Sequence, residues 1–320
     1  MTILAYRFSA FGDVAMVATV CREFIEQNPD VKLVIVSREN FRDLFAGLAR
    51  LHFKGVDLDI YKGFIGLRKL AKELLQEFQP TQIADLHDVI RSKILNRYFK
   101  SQGFEVSVID KSKEEKEQLT DIWNLEKTPL RTTVERYADV FRNLGHQLTL
   151  SYQLQPVPGK KEGIGFAPFA QHFGKMLPLE KSFEAAKILA QQFPVYFFGS
   201  RGEEAEILEN WQREVPNTFN LAGKLTLSQE LEKISQLSLM ISMDSANMHL
   251  ASLVGTRCIS IWGATHHFAG FLGYGQSEQD IVQVKDLTCR PCSVFGDKEC
   301  YRGDYACLHE IDIQKIIEKI

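Results

Sequence analysis

Apolar positions along this chain follow two alternating rhythms. Residues 3–8 (ILAYRF) form a short, nearly continuous apolar run, the pattern of a strand buried on both faces. Val14, Val17, Ala18, Cys21 and Phe24 then recur at helical spacing. The succession repeats: VKLVIVS (31–37) reads as a strand, and a helical stretch follows through Phe41, Leu44, Phe45 and Leu48. VDLDIY (56–61) alternates as a strand, FIGLRKLAKELLQEF (64–78) is helical, and QIADLHD (82–88) is a further strand. DKSKEEKEQL (110–119) is charged and poor in apolar residues, which predicts a solvated loop.

The rhythm breaks at SYQLQPVPGKKEG (151–163), where two prolines and two glycines fall close together, as in a linker. It then restarts with strands at GIGFAPF (163–169), VYFFG (195–199), TFNLAG (218–223), SLMIS (238–242) and CISIWG (258–263), the last clear strand. Helices are expected over 180–193, from Glu203, and over 245–255. Strands alternating with helices predict α/β architecture with parallel sheets covered on both faces. The expected organisation is two Rossmann-like domains, 1–155 and 160–308, facing across a cleft. A terminal helix at about 309–320 is free to pack back on the first domain. Ligands of such folds bind outside the carboxyl ends of the strands.

Composition narrows the function classes. The chain has 320 residues, 45% hydrophobic and 25% charged, with a net charge of −3. That is an ordinary globular protein, long enough for two cores. Its mild acidity argues against nucleic acid as a partner, because phosphate neutralisation needs surplus Lys and Arg. No apolar run approaches the ~20 residues that span a bilayer. The N-terminus lacks the features of a signal peptide, so the expected location is the cytoplasm. The six cysteines are expected to stay reduced there unless they bind metal.

Several stretches carry candidate chemistry. A dinucleotide fold places G-x-G-x-x-G after its first strand, but this chain offers Ser9, Ala10, Phe11, Gly12 and then Asp13. Asp13 could simply cap a helix starting at Val14. In the second half, Asp244 ends a strand, and Ser245 and Ala246 lead into a helix whose free N–H groups would suit an anion; Asp244 could equally be a plain cap. Lys175, on the loop after the first strand of this half, would neutralise a diphosphate if it faces the site. Arg91, Ser92 and Lys93, together with Arg68, Lys69 and Lys72, form a basic rim suited to an acidic acceptor or a solvated surface. D-L-D at 57–59 matches a metal-binding D-x-D, but inside an alternating strand such a match is expected by chance. Cys289, Cys292, Cys300 and Cys307 form a C-x2-C-x7-C-x6-C array, a candidate ligand set for structural zinc.

Taken in order, RFSAFGDV, DLHDVIRS (85–92), ERYADVFRNLG (135–145), LAGKLTLSQE (221–230), MDSANMHLASLVG (243–255) and IWGAT (261–265) resemble glycosyltransferase family 9, the ADP-heptose:lipopolysaccharide heptosyltransferases. The resemblance covers nearly the whole chain. It implies a GT-B fold and transfer of a heptose from ADP-heptose to a lipopolysaccharide core or other lipid-linked acceptor. Displacement would be direct and inverting, with no metal cofactor required. Asp13 would be the base, with Gly12, Arg91, Ser92 and Lys93 toward the acceptor. Lys175 would bind the donor diphosphate, Glu203 the ribose (with Glu204 adjacent), and Leu225 the base. Asp244, Ser245 and Ala246 would form the phosphate loop, with His249 on the same helix. D-S-A-N here replaces the family's D-T-G-P, and Ala170 and Gln171 replace small polar residues before the lysine, which bears on donor identity. The resemblance also implies peripheral association with the inner membrane face. The alternatives are transfer from another nucleotide sugar, or a non-catalytic glycan- or sugar-nucleotide-binding module.

Overall fold

The computed structural model describes residues 1–155 and 158–320. Pro156 and Val157, inside the expected linker, lie outside the described residues. The chain divides into two compact units: Met1–Lys111 with Thr133–Ser151, and Ser112–Thr132 with Tyr152–Ile320.

In the first unit, β1 (Thr2–Tyr6), β2 (Lys32–Arg38), β3 (Leu51–Val56), β4 (Gln82–Asp85) and β5 (Val106–Val108) make a parallel sheet in the order β3-β2-β1-β4-β5. Helices α1 (Phe11–Gln27), α2 (Gly63–Phe78) and α3 (Ile90–Ser101) link the strands. Next comes α4 (Lys113–Thr120), which belongs to the second unit, and then α5 (Thr133–Arg142), which belongs to the first. Leu4, Tyr6, Val34 and Val36 pack with Leu67, Leu70 and Leu74 of α2 and with Leu95 and Phe99 of α3. The alternate residues Ile3, Ala5, Leu33 and Ile35 are equally buried, as strands covered on both faces must be. Phe24 of α1 stacks on Phe141 of α5, with ring centroids 4.4 Å apart. The chain runs outward from β1 to β3, then crosses to β4 and β5. Helices therefore leave in opposite directions on the two sides of the β1/β4 boundary, which opens a crevice at the carboxyl ends of those strands.

The second unit repeats the plan with β6 (Ile164–Ala167), α6 (Leu179–Ala190), β7 (Val195–Phe197), α7 (Glu203–Glu214), β8 (Thr218–Asn220), α8 (Leu227–Gln236), β9 (Leu239–Met243), α9 (Ala246–Leu253), β10 (Cys258–Trp262) and β11 (Ile281–Gln283). Its parallel sheet has the order β11-β10-β9-β6-β7-β8, so its switch point lies between β6 and β9. Two short helices, α10 (Ala306–His309) and α11 (Gln314–Ile317), end the chain. Ile311 and Ile316 enter the core formed by Ile164, Phe166, Ile241 and Ile259. The last segment thus belongs to the second unit, where the sequence had left a return to the first open. No helix among the described residues is long and apolar enough to cross a membrane.

Tertiary context overrides local pattern at several points. The third strand is Leu51–Val56 rather than 56–61: it pairs in register with β2 from Leu33↔Leu51 to Arg38↔Val56. The apparent alternation of D-L-D is a turn, in which the Asp57 carboxylate accepts the Asp59 N–H at 2.9 Å. The helical stretch after β2 is a 3-10 turn over Glu39–Phe45 that still buries Phe41, Leu44 and Phe45. The charged segment expected as a loop contains α4, anchored by buried Leu119 and by the Lys116 ammonium 4.6 Å from the Phe271 ring centroid. The three-residue strands β5 and β11 are too short for a periodic signal.

Candidate functional site

Polar side chains gather at the switch point of each unit. In the first, Arg7 leaves the end of β1 and Asp13 lies in the first turn of α1. Arg7 Nη2 is 2.8 Å from Asp13 Oδ2, and Tyr137 Oη donates to Asp13 Oδ1 at 3.1 Å. Arg7 Nη1 donates to the Leu86 carbonyl at 2.7 Å, and its guanidinium lies 5.3 Å from the Tyr137 ring centroid. Arg7 and Tyr137 are buried, whereas the Asp13 side chain is 27% exposed and so stays reachable. The helix begins at Phe11, with Ala10 at its N-cap and no side-chain cap bond. Asp13 is therefore not the cap of a helix starting at Val14. Gly12 shares its turn.

His87, at the end of the β4 segment, completes this cluster. Its backbone N–H and that of Asp88 donate to Asp85 Oδ1 at 2.8 and 2.9 Å, and Asn96 donates to Asp85 Oδ2 at 2.7 Å. Phe8 N donates to His87 Nδ1 at 3.5 Å, and Nε2 lies 3.3 Å from Ser9 Oγ. Burial, reinforced by the cations of Arg7 and Lys111, pushes the His87 imidazole down to about 3, so it is neutral near pH 7. Both ring nitrogens are engaged and the ring is a weak base. The Asp13 carboxylate, by contrast, is 27% exposed and open to an approaching group.

Arg91 and Lys93 are exposed on α3, with Lys93 Nζ 3.3 Å from Asp88 Oδ1. Ser92 is different. It is fully buried, its hydroxyl accepts the Val89 N–H at 2.9 Å and donates to the Val89 carbonyl at 3.0 Å, and it thus serves the start of α3 rather than facing an acceptor.

In the second unit, Lys175 follows β6 and Asp244 follows β9, the two strands that flank the switch point. Lys175 Nζ lies 3.0 Å from Asp244 Oδ2, which also accepts the Thr265 hydroxyl at 2.8 Å. The carboxylate is nearly buried and holds the ammonium in place. A lysine carries three N–H donors, so most of its donor capacity remains for an anion. Ser245 is the extended N-cap of α9 without a side-chain cap bond, and its hydroxyl lies 3.1 Å from Ser242 Oγ. Ala246 opens the helix, whose first N–H groups lack intrahelical acceptors. His249 lies one turn further on and is buried.

Glu203 and Leu225 lie beyond the carboxyl ends of β7 and β8, on the same edge of the sheet. Glu204 Oε2 accepts the Ser200 N–H at 2.6 Å, closing its own loop, while Glu203 is exposed at the start of α7. Leu225 is half-buried just before Thr226, which caps α8 in a reciprocal box with Gln229. Asp57 is used in its turn and Asp59 lies 3.4 Å from Lys62. Among the described residues no three His, Cys, Asp or Glu side chains already converge to hold a metal.

Sequence reasoning missed Arg7, Tyr137, His87 and Thr265 as site residues. All four lie inside motifs that it quoted, but their roles come from contacts made far along the chain, such as Tyr137 with Asp13.

The family model for glycosyltransferase family 9 (heptosyltransferase) matches residues 67–301. A lipooligosaccharide heptosyltransferase 2 of Campylobacter jejuni is 26% identical over 166 residues, 50% of this chain and 51% of the relative. The chain thus spans about half the length of the curated relatives it matches. The structure of E. coli ADP-heptose lps heptosyltransferase II superposes with a TM-score of 0.71 at 19% identity, covering 100% of this chain and 97% of that one. E. coli heptosyltransferase WaaC with ADP-2-deoxy-2-fluoro heptose gives a TM-score of 0.71 at 16% identity, covering 100% and 99%.

Proposed function

The chain belongs to glycosyltransferase family 9, and from that premise we propose that it transfers a heptose from ADP-heptose to a lipopolysaccharide core acceptor by inverting, metal-independent displacement. The observation that carries the reading is the Lys175–Asp244 pair at the switch point of the second unit, beside the start of α9. An oriented ammonium and a helix N-terminus together supply positive charge for a departing diphosphate, the task a divalent metal performs elsewhere. Ser245 and Ala246 line that phosphate site, Glu203 takes the ribose hydroxyls, Leu225 lies against the base, and His249 supports the helix from within.

The acceptor belongs to the first unit, around Gly12, Asp13, Arg91 and Lys93. Asp13 takes the proton of the acceptor hydroxyl as that oxygen attacks the anomeric carbon. The bond from that carbon to the diphosphate breaks, and ADP leaves with the electron pair. Arg7 and Tyr137 each engage one carboxylate oxygen and fix its orientation, while leaving lone pairs for the incoming hydroxyl. Location at the cytoplasmic membrane face is supported by exposed Ile60, Phe64 and Ile65 around the start of α2, where Lys72 is exposed and Lys62 and Lys69 are paired with Asp59 and Glu73.

Calorimetry against ADP-, GDP- and UDP-sugars, paired with turnover of ADP-heptose on core acceptor, tests the reading. Preference for ADP-heptose with turnover is expected. Binding without turnover would favour a binding module, and preference for another nucleotide a different transferase.

A further inference from the structure

Residues 284–305 contain no helix or strand, yet the segment does not lie loose on the surface. It braces the turn that carries Lys175. Cys292 N donates to the Ala264 carbonyl at 3.2 Å, Ala264 N to the Gly174 carbonyl at 2.8 Å, and Gly174 N to the Gly296 carbonyl at 3.1 Å. Gly296 sits at φ +74° so close that a Cβ there would lie 2.7 Å from Lys175 Cγ. The apolar cluster under this segment is small: Ala264, Cys307 and Leu308, with Leu287, Cys292 and Tyr305 against them. That cluster offers little apolar area for a segment this long.

Two observations point to what else holds it. First, Cys289, Cys292, Cys300 and Cys307 all line one cavity of about 10 Å³, room for a single water-sized occupant. Second, Arg290 on the same wall is a buried cation with no acidic hydrogen-bond or ion-pair partner among the described residues. Its five hydrogen bonds all go to neutral oxygens: the carbonyls of Gly263, Val284, Trp262 and Thr265, and Gln283 Oε1. Lys127 and Lys298 lie toward Cys292 and Arg302 toward Cys289; the carboxylate in the cavity lining, Asp304, is 4.0 Å from Cys300 Sγ and is itself paired with Arg302 at 2.8 Å. An uncompensated buried cation is costly, and four thiolates around a divalent ion carry a net charge of two minus.

We propose that Cys289, Cys292, Cys300 and Cys307 bind one soft divalent ion, zinc or ferrous iron, as a tetrathiolate centre whose buried counter-charge is Arg290. Binding exchanges four thiol protons for the ion, with no change of oxidation state. The sulfurs line the cavity wall rather than converging on a point; three of them lie in irregular chain, where side-chain rotation draws them in. Tyr305 N already donates to Cys300 Sγ at 3.4 Å, a bond that strengthens when the sulfur is a thiolate. The centre would be structural: it lies outside the transfer chemistry and fixes the chain that supports Gly174 and Lys175.

The test is elemental analysis of the full-length protein purified without chelator, reading zinc, iron and nickel together. About one equivalent of zinc or iron per chain is expected; the element identifies the ion, and visible thiolate-to-iron absorption distinguishes iron independently. Cys292→Ser/Cys300→Ser should lose the metal, whereas Cys21→Ser/Cys258→Ser, at the two cysteines outside the array, should keep it. Arg290→Gln should release metal to a chromogenic chelator about tenfold or more faster, and metal removal should speed hydrogen exchange at the Gly174 amide. Wild-type protein with less than about a tenth of an equivalent of metal, metal retained after loss of Cys292 and Cys300, or disulfides among these thiols would overturn the proposal. Release from Arg290→Gln at the wild-type rate would overturn the role given to Arg290.

Discussion

Replacing Asp13 by Asn separates a catalytic carboxylate from a structural one, and the ion pair sets the size of each effect. Asn keeps the shape of Asp13 but removes the charge opposite a guanidinium that is 7% exposed. At 2.8 Å the bare attraction is about 6 kcal/mol with an effective dielectric near 20. Desolvation offsets much of that, and Asp13 is itself 27% exposed. The net cost of leaving Arg7 unpaired should therefore lie between the surface and buried extremes, at about 1–3 kcal/mol. For a unit of this size that is a fall of about 4–10 °C in melting temperature. Turnover, followed as ADP release from ADP-heptose with core acceptor, should fall by about 10²–10⁴. Arg7→Met/Asp13→Asn distinguishes the two contributions. With the cation removed as well, more than half of the lost stability should return, because a neutral pair leaves no buried charge. The rate should not return with it. Recovery of turnover alongside stability would show that the first loss was only a folding defect. Asp13→Asn retaining more than about a tenth of wild-type turnover would refute the base assignment outright.

Three further outcomes follow from the same geometry. Lys175→Ala should weaken ADP binding by about 10–100-fold in calorimetry and also lower the melting temperature, because it leaves nearly buried Asp244 with only the Thr265 hydroxyl as a side-chain partner among the described residues; unchanged ADP affinity would remove Lys175 from the donor site. The imidazole of His87 is held by burial at about 3, below the ordinary value of about 6.5 expected in the unfolded chain, so its contribution is complete above pH 6.5 and lost as the pH falls toward 3. For buried His87 that amounts to about 2 kcal/mol by pH 5, and His87→Asn should flatten the pH dependence of the urea midpoint over that window. Adding Mg²⁺ or Mn²⁺ to dialysed enzyme should change turnover by less than about twofold, whereas activation by an order of magnitude would shift charge neutralisation from Lys175 to a metal.

The extent to which these sites were legible in the sequence depends on where each residue's role comes from. Lys175, Asp244 and Asp13 follow buried strands, and a parallel sheet places the residues after its strands on one edge. Strand-end position was therefore enough to shortlist them. What the sequence did not carry was the pairing. Arg7 reads locally as an odd charge in an apolar run, and Tyr137 as one more aromatic on an amphipathic helix. Only the packing of α5 beside α1 brings the Tyr137 hydroxyl to Asp13, 124 residues away. Ser92 shows the converse error: its neighbours suggested a basic rim, but the hydroxyl is consumed by the backbone of Val89. The D-L-D motif failed in the same way, because an Asp that closes its own turn looks identical in sequence to one that waits for a ligand. Short polar motifs thus identify the kind of atom available, and the fold decides whether that atom is already bound. Asp13 meets both conditions: its oxygens are oriented by Arg7 and Tyr137, and enough of the carboxylate is exposed for a further hydroxyl to reach it.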